Sequence, residues 1–341
     1  MISKIIAEEL IEKVYEAINE VDKIAILVHV DPDGDAIGAA LGLWHYLMTI
    51  EKEPVVISPT SFPNFLSWMP GSKQILIYEN DKTSVEKALA SAELIFGVDF
   101  NDRRRLEKMS ELVSKILVPT ILIDHHLQPE KFAKITISYP EISSTSELIF
   151  RLICRMGDFS KINLACAECI YTGMMTDTGN FTYNSNDPEI YIIISELIKI
   201  GIDKDEIYRK VFNTYSENRL KLLGYCLYKK MKIFSTYRTA IISLSQQELI
   251  AFNYTNGDAE GFVNIPLSIE GIDFSVLLRE EKDKIKISLR SQGNFPANKV
   301  AADLFGGGGH LNAAGAESYT SLEETEKQLL NALPDYLIFF D

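Results

Sequence analysis

With 341 residues, 46% of them apolar and 24% charged, the chain has a globular composition and enough length for two domains, each able to bury its own core. Its formal charge of −14, from 34 basic and 48 acidic residues, excludes a protein that wraps long duplex nucleic acid, because phosphate neutralisation supplies most of that affinity. No apolar run approaches the ~20 residues that span a bilayer, so no membrane association is expected; a small anionic ligand stays open where metal ions offset the acidity.

Residues 1–24 show helical periodicity with acidic residues throughout and no small-residue cleavage site, so no signal peptide is read. Apolar runs at 24–30 (IAILVHV), 54–58 (PVVIS), 93–99 (ELIFGVD) and 119–126 (PTILIDHH) predict buried strands, with helices over 36–50, 83–91, 104–115 and 145–156 between them. The loop at 59–71 carries Phe62, Phe65 and Trp68, which are expected to anchor it to its own domain. Cys154, Cys166, Cys169 and Cys226 form no disulfide framework, which points to a reducing cytoplasm. Cys166 and Cys169 lie in NLACAECIYTGMM, which reads as a buried helix, and no second pair completes a zinc site. From 188 to 230 the pattern is helical with mixed charge. Beyond 232, alternating stretches (YRTAIISLS, DFSVLLREE, KIKISLRSQ) predict a smaller sheet, followed by helices near 297–305 and 321–333. The expected fold class is α/β: an N-terminal parallel-sheet domain (1–190), a helical connector (191–231) and a smaller C-terminal α/β domain (232–341), with an active-site cleft between the two domains.

Ligands of open parallel sheets bind beyond the carboxyl ends of the strands. Three predicted strands end in metal-type ligands: the first runs into His29, Asp31, Asp33 and Asp35, the third ends at Asp99, and the fourth at Asp124, His125 and His126. GMMTDTGNFTY adds Asp177, read in a turn rich in Thr and Gly. Singly, each feature has an ordinary explanation. DPDG is a fair turn, and Asp35 can cap the following helix. Five carboxylates and three imidazoles at strand ends cannot all be caps, however, and a metal site accounts for them. Carboxylate and imidazole without thiolate suits Mn²⁺, with Mg²⁺ or Co²⁺ as alternatives. Two ions about 3.5–4 Å apart, bridged by one carboxylate, would use so many ligands and activate water for attack on phosphorus.

Near the C-terminus, GGGGH (306–310) removes every Cβ from four consecutive residues and predicts a backbone nest for an anion, with a histidine donor beside it. Residues 276–299 hold six Lys or Arg against three Asp or Glu, a local basic excess in which Arg290 could form a fork with phosphate.

HVDPDGDAIG, VDFNDRRRL, IDHH and MMTDTGNFTY resemble, in order, the four motifs of the DHH phosphoesterases, and KISLRSQGNFPANKVAADLFGGGGHLNAAGAES resembles their DHH-associated C-terminal domain. The matches run from 28 to about 318 and point to the nano-RNase and pAp phosphatase (bifunctional oligoribonuclease) branch. The resemblance implies that His29, Asp33 and Asp99 hold one Mn²⁺, and that Asp35, Asp99, His125 and Asp177 hold a second, with Asp99 as the bridge. It also implies that His126 donates to the scissile phosphate and that Asp124 orients the paired histidines, while Asp31 stays outside the ligand set. Arg290, Ser291, Gly307, Gly308, Gly309 and His310 are implied as substrate holders, with Arg105 and Arg279 as further candidates. Arg103 and Arg104 are expected to be solvated helix charges.

The implied activity is metal-dependent hydrolysis of short oligoribonucleotides and of 3′-phosphoadenosine 5′-phosphate (pAp). The alternatives are a phosphodiesterase of cyclic or linear dinucleotides and a non-catalytic nucleotide-binding regulator. A family II pyrophosphatase ranks lower because it lacks GGGGH. Short single-stranded RNA or small nucleotides are the expected partners, and a homodimer is suggested by resemblance alone.

Overall fold

The computed structural model describes residues 4–340. The chain folds into two compact units, one ending at Thr214 and the other starting at Tyr215. In the first unit α1 (Glu8–Asn19) precedes β1 (Lys23–Leu27), α2 (Gly34–Thr49), β2 (Glu53–Ser58), β3 (Leu76–Ile77) and α3 (Lys82–Ser91). Then come β4 (Leu94–Val98), a 3₁₀ segment (Arg103–Met109), α4 (Ser110–Ser114), β5 (Thr120–Asp124) and β6 (Ile135–Ser138). The helices α5 (Thr145–Arg155), α6 (Leu164–Asp177), α7 (Pro188–Ile200) and α8 (Lys204–Phe212) close the unit.

All six strands pair in parallel, in the order β3-β2-β1-β4-β5-β6. Both faces are covered, so the strands read as continuous aliphatic runs. Ile26, Phe96 and Ile123 face the α1, α2, α5 and α6 side, whereas Leu27, Ile95 and Leu122 face α3 and the 3₁₀ segment. Phe62, Phe65 and Trp68 pack on the first of these cores, as expected of loop anchors. The predicted strands are all present. β3 and β6 were not foreseen; at two and four residues each they carry too little pattern to detect.

α2 and α6 pack closely because glycine lines their contact. A Cβ on Gly38 would lie 2.8 Å from the Gly173 backbone, and one on Gly173 would lie 2.9 Å from Asp35 Oδ1 of α2. Since Gly34 meets Thr176 while Gly42 meets Ile170, the two helices run antiparallel, and the end of α6 lies at the start of α2. Cys166 and Cys169 are buried on α6, as expected for core thiols.

Among the described residues the stretch expected as a connector divides between the two units at Thr214 and Tyr215. Ile190, Ile193, Leu197, Ile207 and Val211 of α7 and α8 join the first core. The second unit begins with α9 (Glu217–Tyr225), whose Leu222 belongs to another core. Its remaining elements are β7 (Met231–Phe234), β8 (Thr239–Leu244), α10 (Gln246–Ala251), β9 (Phe274–Glu280), β10 (Ile285–Ser291), α11 (Ala297–Phe305), β11 (Gly308–His310), β12 (Ala313–Ser318) and α12 (Leu322–Ala332). They form a mixed sheet in the order β11-β12-β10-β9-β8-β7, parallel only between β8 and β9. One face (Val276, Leu278, Ile287, Leu289) packs on α11 and α12, and the other (Ile242, Leu244, Leu277) on α9 and α10. No helix among the described residues is long and apolar enough to cross a membrane.

Candidate active site

The strand order changes direction between β1 and β4, the crevice where parallel sheets bind ligands. His29 lies two residues beyond β1, Asp99 directly follows β4, and Asp124 closes β5. Asp33 is the N-cap of α2, accepting from the Asp35 and Ala36 amides at 3.0 and 3.1 Å. The capping role that the sequence alone leaves open for Asp35 therefore falls to Asp33, two residues earlier. Asp35 is buried in the first turn, and its two oxygens accept from the Thr145 and Ser146 amides at 2.6 and 2.9 Å. Asp177 is the last residue of α6 rather than part of a turn, because the packing of α6 on α2 carries the helix that far.

Asp99 holds a left-handed backbone (φ 63°), which costs a non-glycine residue about 1–3 kcal/mol and is typical of functional sites. Its two oxygens face different groups. Oδ2 lies 3.6 Å from His29 Nε2, and Oδ1 lies 3.7 Å from His125 Nε2. His125 Nε2 is also 3.3 Å from Asp177 Oδ2 and 3.9 Å from Asp35 Oδ2. His29, Asp33 and Asp99 thus form one potential ligand group, and Asp35, His125 and Asp177 a second.

Each imidazole is oriented through Nδ1. His29 Nδ1 donates to Val30 O at 2.7 Å, and His125 Nδ1 to Ile142 O at 3.1 Å. A carbonyl only accepts, so Nε2 turns toward the carboxylates. His29 Nε2 is buried and has no hydrogen-bond partner among the described residues. A buried nitrogen lone pair facing a carboxylate oxygen is what a shared cation relieves. Asp124 accepts from His126 Nδ1 at 2.7 Å and from the His126 amide at 3.0 Å, while His125 Nδ1 is held by Ile142 O. Arg105 Nη1 lies 3.3 Å from His126 Nε2 and 3.5 Å from Asp99 O.

The cluster's charges are strongly perturbed. Burial, with Asp99 and Asp177 adding repulsion, holds the Asp35 carboxyl well above the usual range. Burial likewise pushes Asp177 up to about 6. At Asp99 burial pulls upward, but His29, His126 and His125 outweigh it and hold the carboxyl well below normal. Burial lowers His125, but Asp177, Asp99, Asp35 and Asp124 prevail and raise it to about 9. Buried carboxylates and imidazoles packed this closely call for compensating positive charge.

Asp31 stands outside both ligand groups, its amide donating to Thr60 Oγ1 at 2.7 Å. Arg103 pairs with Glu130 at 3.1 Å and Arg104 with Asp102, as surface charges.

In the second unit, Arg290 and His310 both register opposite Ala313, so they share one sheet face. Ser291 lies on the opposite face, buried, with its hydroxyl donating to Phe295 O at 2.6 Å and accepting from Asn312 at 2.9 Å. It supports the turn after β10 and does not join Arg290. Arg279 is engaged by Glu281 and by the Tyr254 hydroxyl. The glycine run is not an open nest. The Gly306 and Gly307 amides close the end of α11, at 3.1 Å from Ala302 O and 3.0 Å from Ala301 O, and Gly308 and Gly309 are strand residues. Gly309 (φ 142°) lets β11 lie against β12, where a Cβ would come within 2.4 Å of Ala313 O.

Sequence reasoning missed Ile142, Thr145 and Ser146. The ISSTSE run (142–147) that holds them reads only as a helix cap, and nothing in it discloses partners that lie far away in the chain.

Residues 23–174 match the DHH family, N-terminal domain, and residues 240–338 match the DHHA1 domain. The chain is 55% identical to a solved structure described as an exopolyphosphatase-related protein from Bacteroides fragilis, with 99% of each chain covered and a TM-score of 0.95. It is 28% identical to the bifunctional oligoribonuclease and PAP phosphatase NrnA of Thermus thermophilus, across 92% of this chain and 90% of that one. It is 24% identical to the cyclic-di-AMP phosphodiesterase PdeA of Listeria monocytogenes, across 98% of this chain and 50% of that protein. With the motif residues gathered at the switch point of its parallel sheet and a DHHA1 domain following, the chain belongs to the DHH family of phosphoester hydrolases.

Proposed function

We propose that this enzyme uses two divalent cations to hydrolyse short oligoribonucleotides and to remove the 3′-phosphate of pAp. The observation that carries this reading is the orientation of Asp99, whose oxygens face His29 and His125 separately, at 3.6 and 3.7 Å. His29, Asp33 and Asp99 would hold one ion; Asp35, Asp99, His125 and Asp177 would hold the other. The thiolate-free donor set suits Mn²⁺, with Mg²⁺ or Co²⁺ as alternatives. Bound there, the ions would supply Lewis-acid activation of water and neutralise charge on the phosphoryl oxygens.

The chain's own residues would do the rest. Asp124 fixes the His126 ring, and Arg105 brings a permanent cation beside it. A guanidinium only donates, so in this arrangement His126 Nε2 accepts. Arg105 would then donate N–H to a non-bridging oxygen, joined by His126 when it carries a second proton. Arg290 and His310, on one face of the second unit's sheet, would hold a phosphate of the substrate. The similarity to a bifunctional oligoribonuclease and PAP phosphatase supports this substrate class, and the free thiols among the described residues suit a cytoplasmic location.

The test is titration of chelator-stripped protein with Mn²⁺ while RNA-dinucleotide hydrolysis is followed. The rate should rise to a plateau at two equivalents per chain; full activity at one equivalent or none would contradict the reading. Ligands must lose protons to bind metal. With His125 near 9 and Asp177 near 6, Mn²⁺ affinity should weaken as pH falls below 9 and weaken more steeply as it falls through 6. At about pH 7.5 binding should release protons held by His125 and by the raised Asp35 carboxyl, which calorimetry in buffers of different ionisation enthalpy would record.

A further inference from the structure

The geometry points to Thr145 as the positioning residue that holds Asp99 in its bridging orientation and so couples the two cation groups; the inference rests on the two-ion reading above. A carboxylate that rotates about Cβ–Cγ can turn both oxygens toward one ion. Only an asymmetric contact prevents this. Thr145 Oγ1 supplies it, donating to Asp99 Oδ1 at 2.8 Å and leaving Oδ2 on the His29 side. At the first residue of a helix no preceding turn offers a carbonyl, so the hydroxyl must find its partner elsewhere. Thr145, the first residue of α5, donates to a carboxylate far upstream in the chain.

The same helix end also holds the other group. The Thr145 and Ser146 amides occupy one oxygen each of Asp35, at 2.6 and 2.9 Å, and Ile142 O orients His125 at 3.1 Å. One short segment therefore sets Asp35, His125 and Asp99. Thr145, Ser146, Asp35 and Asp99 are all buried, which shields these bonds from bulk solvent.

The segment is itself fastened. Ser144 caps α5 by accepting from the Glu147 amide at 3.1 Å. Glu147 Oε2 takes the Ser143 amide at 3.2 Å and its hydroxyl at 2.6 Å, while Oε1 accepts two bonds from Arg151, at 2.8 and 2.6 Å. Arg151, among the largest fully buried side chains, also reaches Glu189 at 2.8 Å. A buried ion pair of this kind holds the turn rigidly enough for a single hydroxyl to aim a carboxylate.

The test compares Thr145→Val and Thr145→Ala, which remove the hydroxyl, with Thr145→Ser, which keeps it. Mn²⁺ binding is followed by calorimetry and by electron paramagnetic resonance, with circular dichroism confirming the fold. Wild type should bind two Mn²⁺ that are magnetically coupled through the shared carboxylate. In the Val and Ala variants the second Mn²⁺ should bind about 10–100-fold more weakly, with coupling lost at saturation, and Ser should restore both. Two tightly bound, coupled ions in the Val and Ala variants would overturn the inference. Loss of the fold in both would also overturn it, by making Thr145 a structural residue. Fewer than two ions in wild type would instead overturn the two-ion reading.

Discussion

Asp99→Ala is expected to abolish hydrolysis of dinucleotide and pAp alike, lowering kcat by at least about a thousandfold. Removing one preorganised contact to a transition state commonly costs 10²–10³, and Asp99 is the residue whose two oxygens face both ligand groups. The change also removes the acceptor of Thr145 Oγ1 and the carboxylate opposite His29 Nε2. The strained backbone (φ 63°) suits alanine no better than aspartate, so circular dichroism should accompany the rate measurement. Asp99→Asn, which tolerates that conformation, should keep the fold yet lose nearly as much activity, because it withholds the second anionic oxygen. Asp31→Ala is the control: Asp31 lies in the acidic stretch that holds Asp33 and Asp35 but stands outside both ligand groups, and most activity should survive. Near-normal Mn²⁺-dependent turnover in Asp99→Ala would contradict the bridging assignment.

Arg290→Ala should act on binding rather than chemistry. A charge-assisted hydrogen bond is worth about 1.5–3 kcal/mol, so KM for pAp should rise roughly 10–150-fold with kcat much less affected. An artificial phosphodiester without a second phosphate should be hydrolysed by the variant at nearly the wild-type rate. Equal loss on both substrates would contradict the gripping role. Ser291→Ala separates position from chemistry. It neighbours Arg290 in sequence but faces the opposite side of the sheet, so it should lower thermal stability and leave the KM ratio between the two substrates unchanged.

The features legible in the sequence were those fixed by local chemistry. β1, β4 and β5 are aliphatic runs that stop at polar residues, so His29, Asp99 and Asp124 marked the active edge of the sheet directly. What required the fold were contacts made across the chain. TDTG resembles a turn, but glycines along the contact of α2 and α6 extend α6 to Asp177. Four glycines carry no side-chain period, so the strand β11 became visible only through its pairing with β12. The two faces of β10 were legible, since Ile285, Ile287 and Leu289 alternate with Lys286, Ser288 and Arg290. That alternation already places Ser291 on the buried side. Thr145 was not legible, because a cap sequence gives no sign of which carboxylate it will face.

The most direct test of the account is to compare kcat/KM on a 5′-labelled RNA dinucleotide, a 24-mer RNA, pAp, cyclic di-AMP, pyrophosphate and polyphosphate, all with Mn²⁺. The account predicts the highest values for the dinucleotide and pAp and a much lower one for the 24-mer. Preference for cyclic di-AMP, pyrophosphate or polyphosphate over both, or no turnover of any of them with two Mn²⁺ bound, would contradict it.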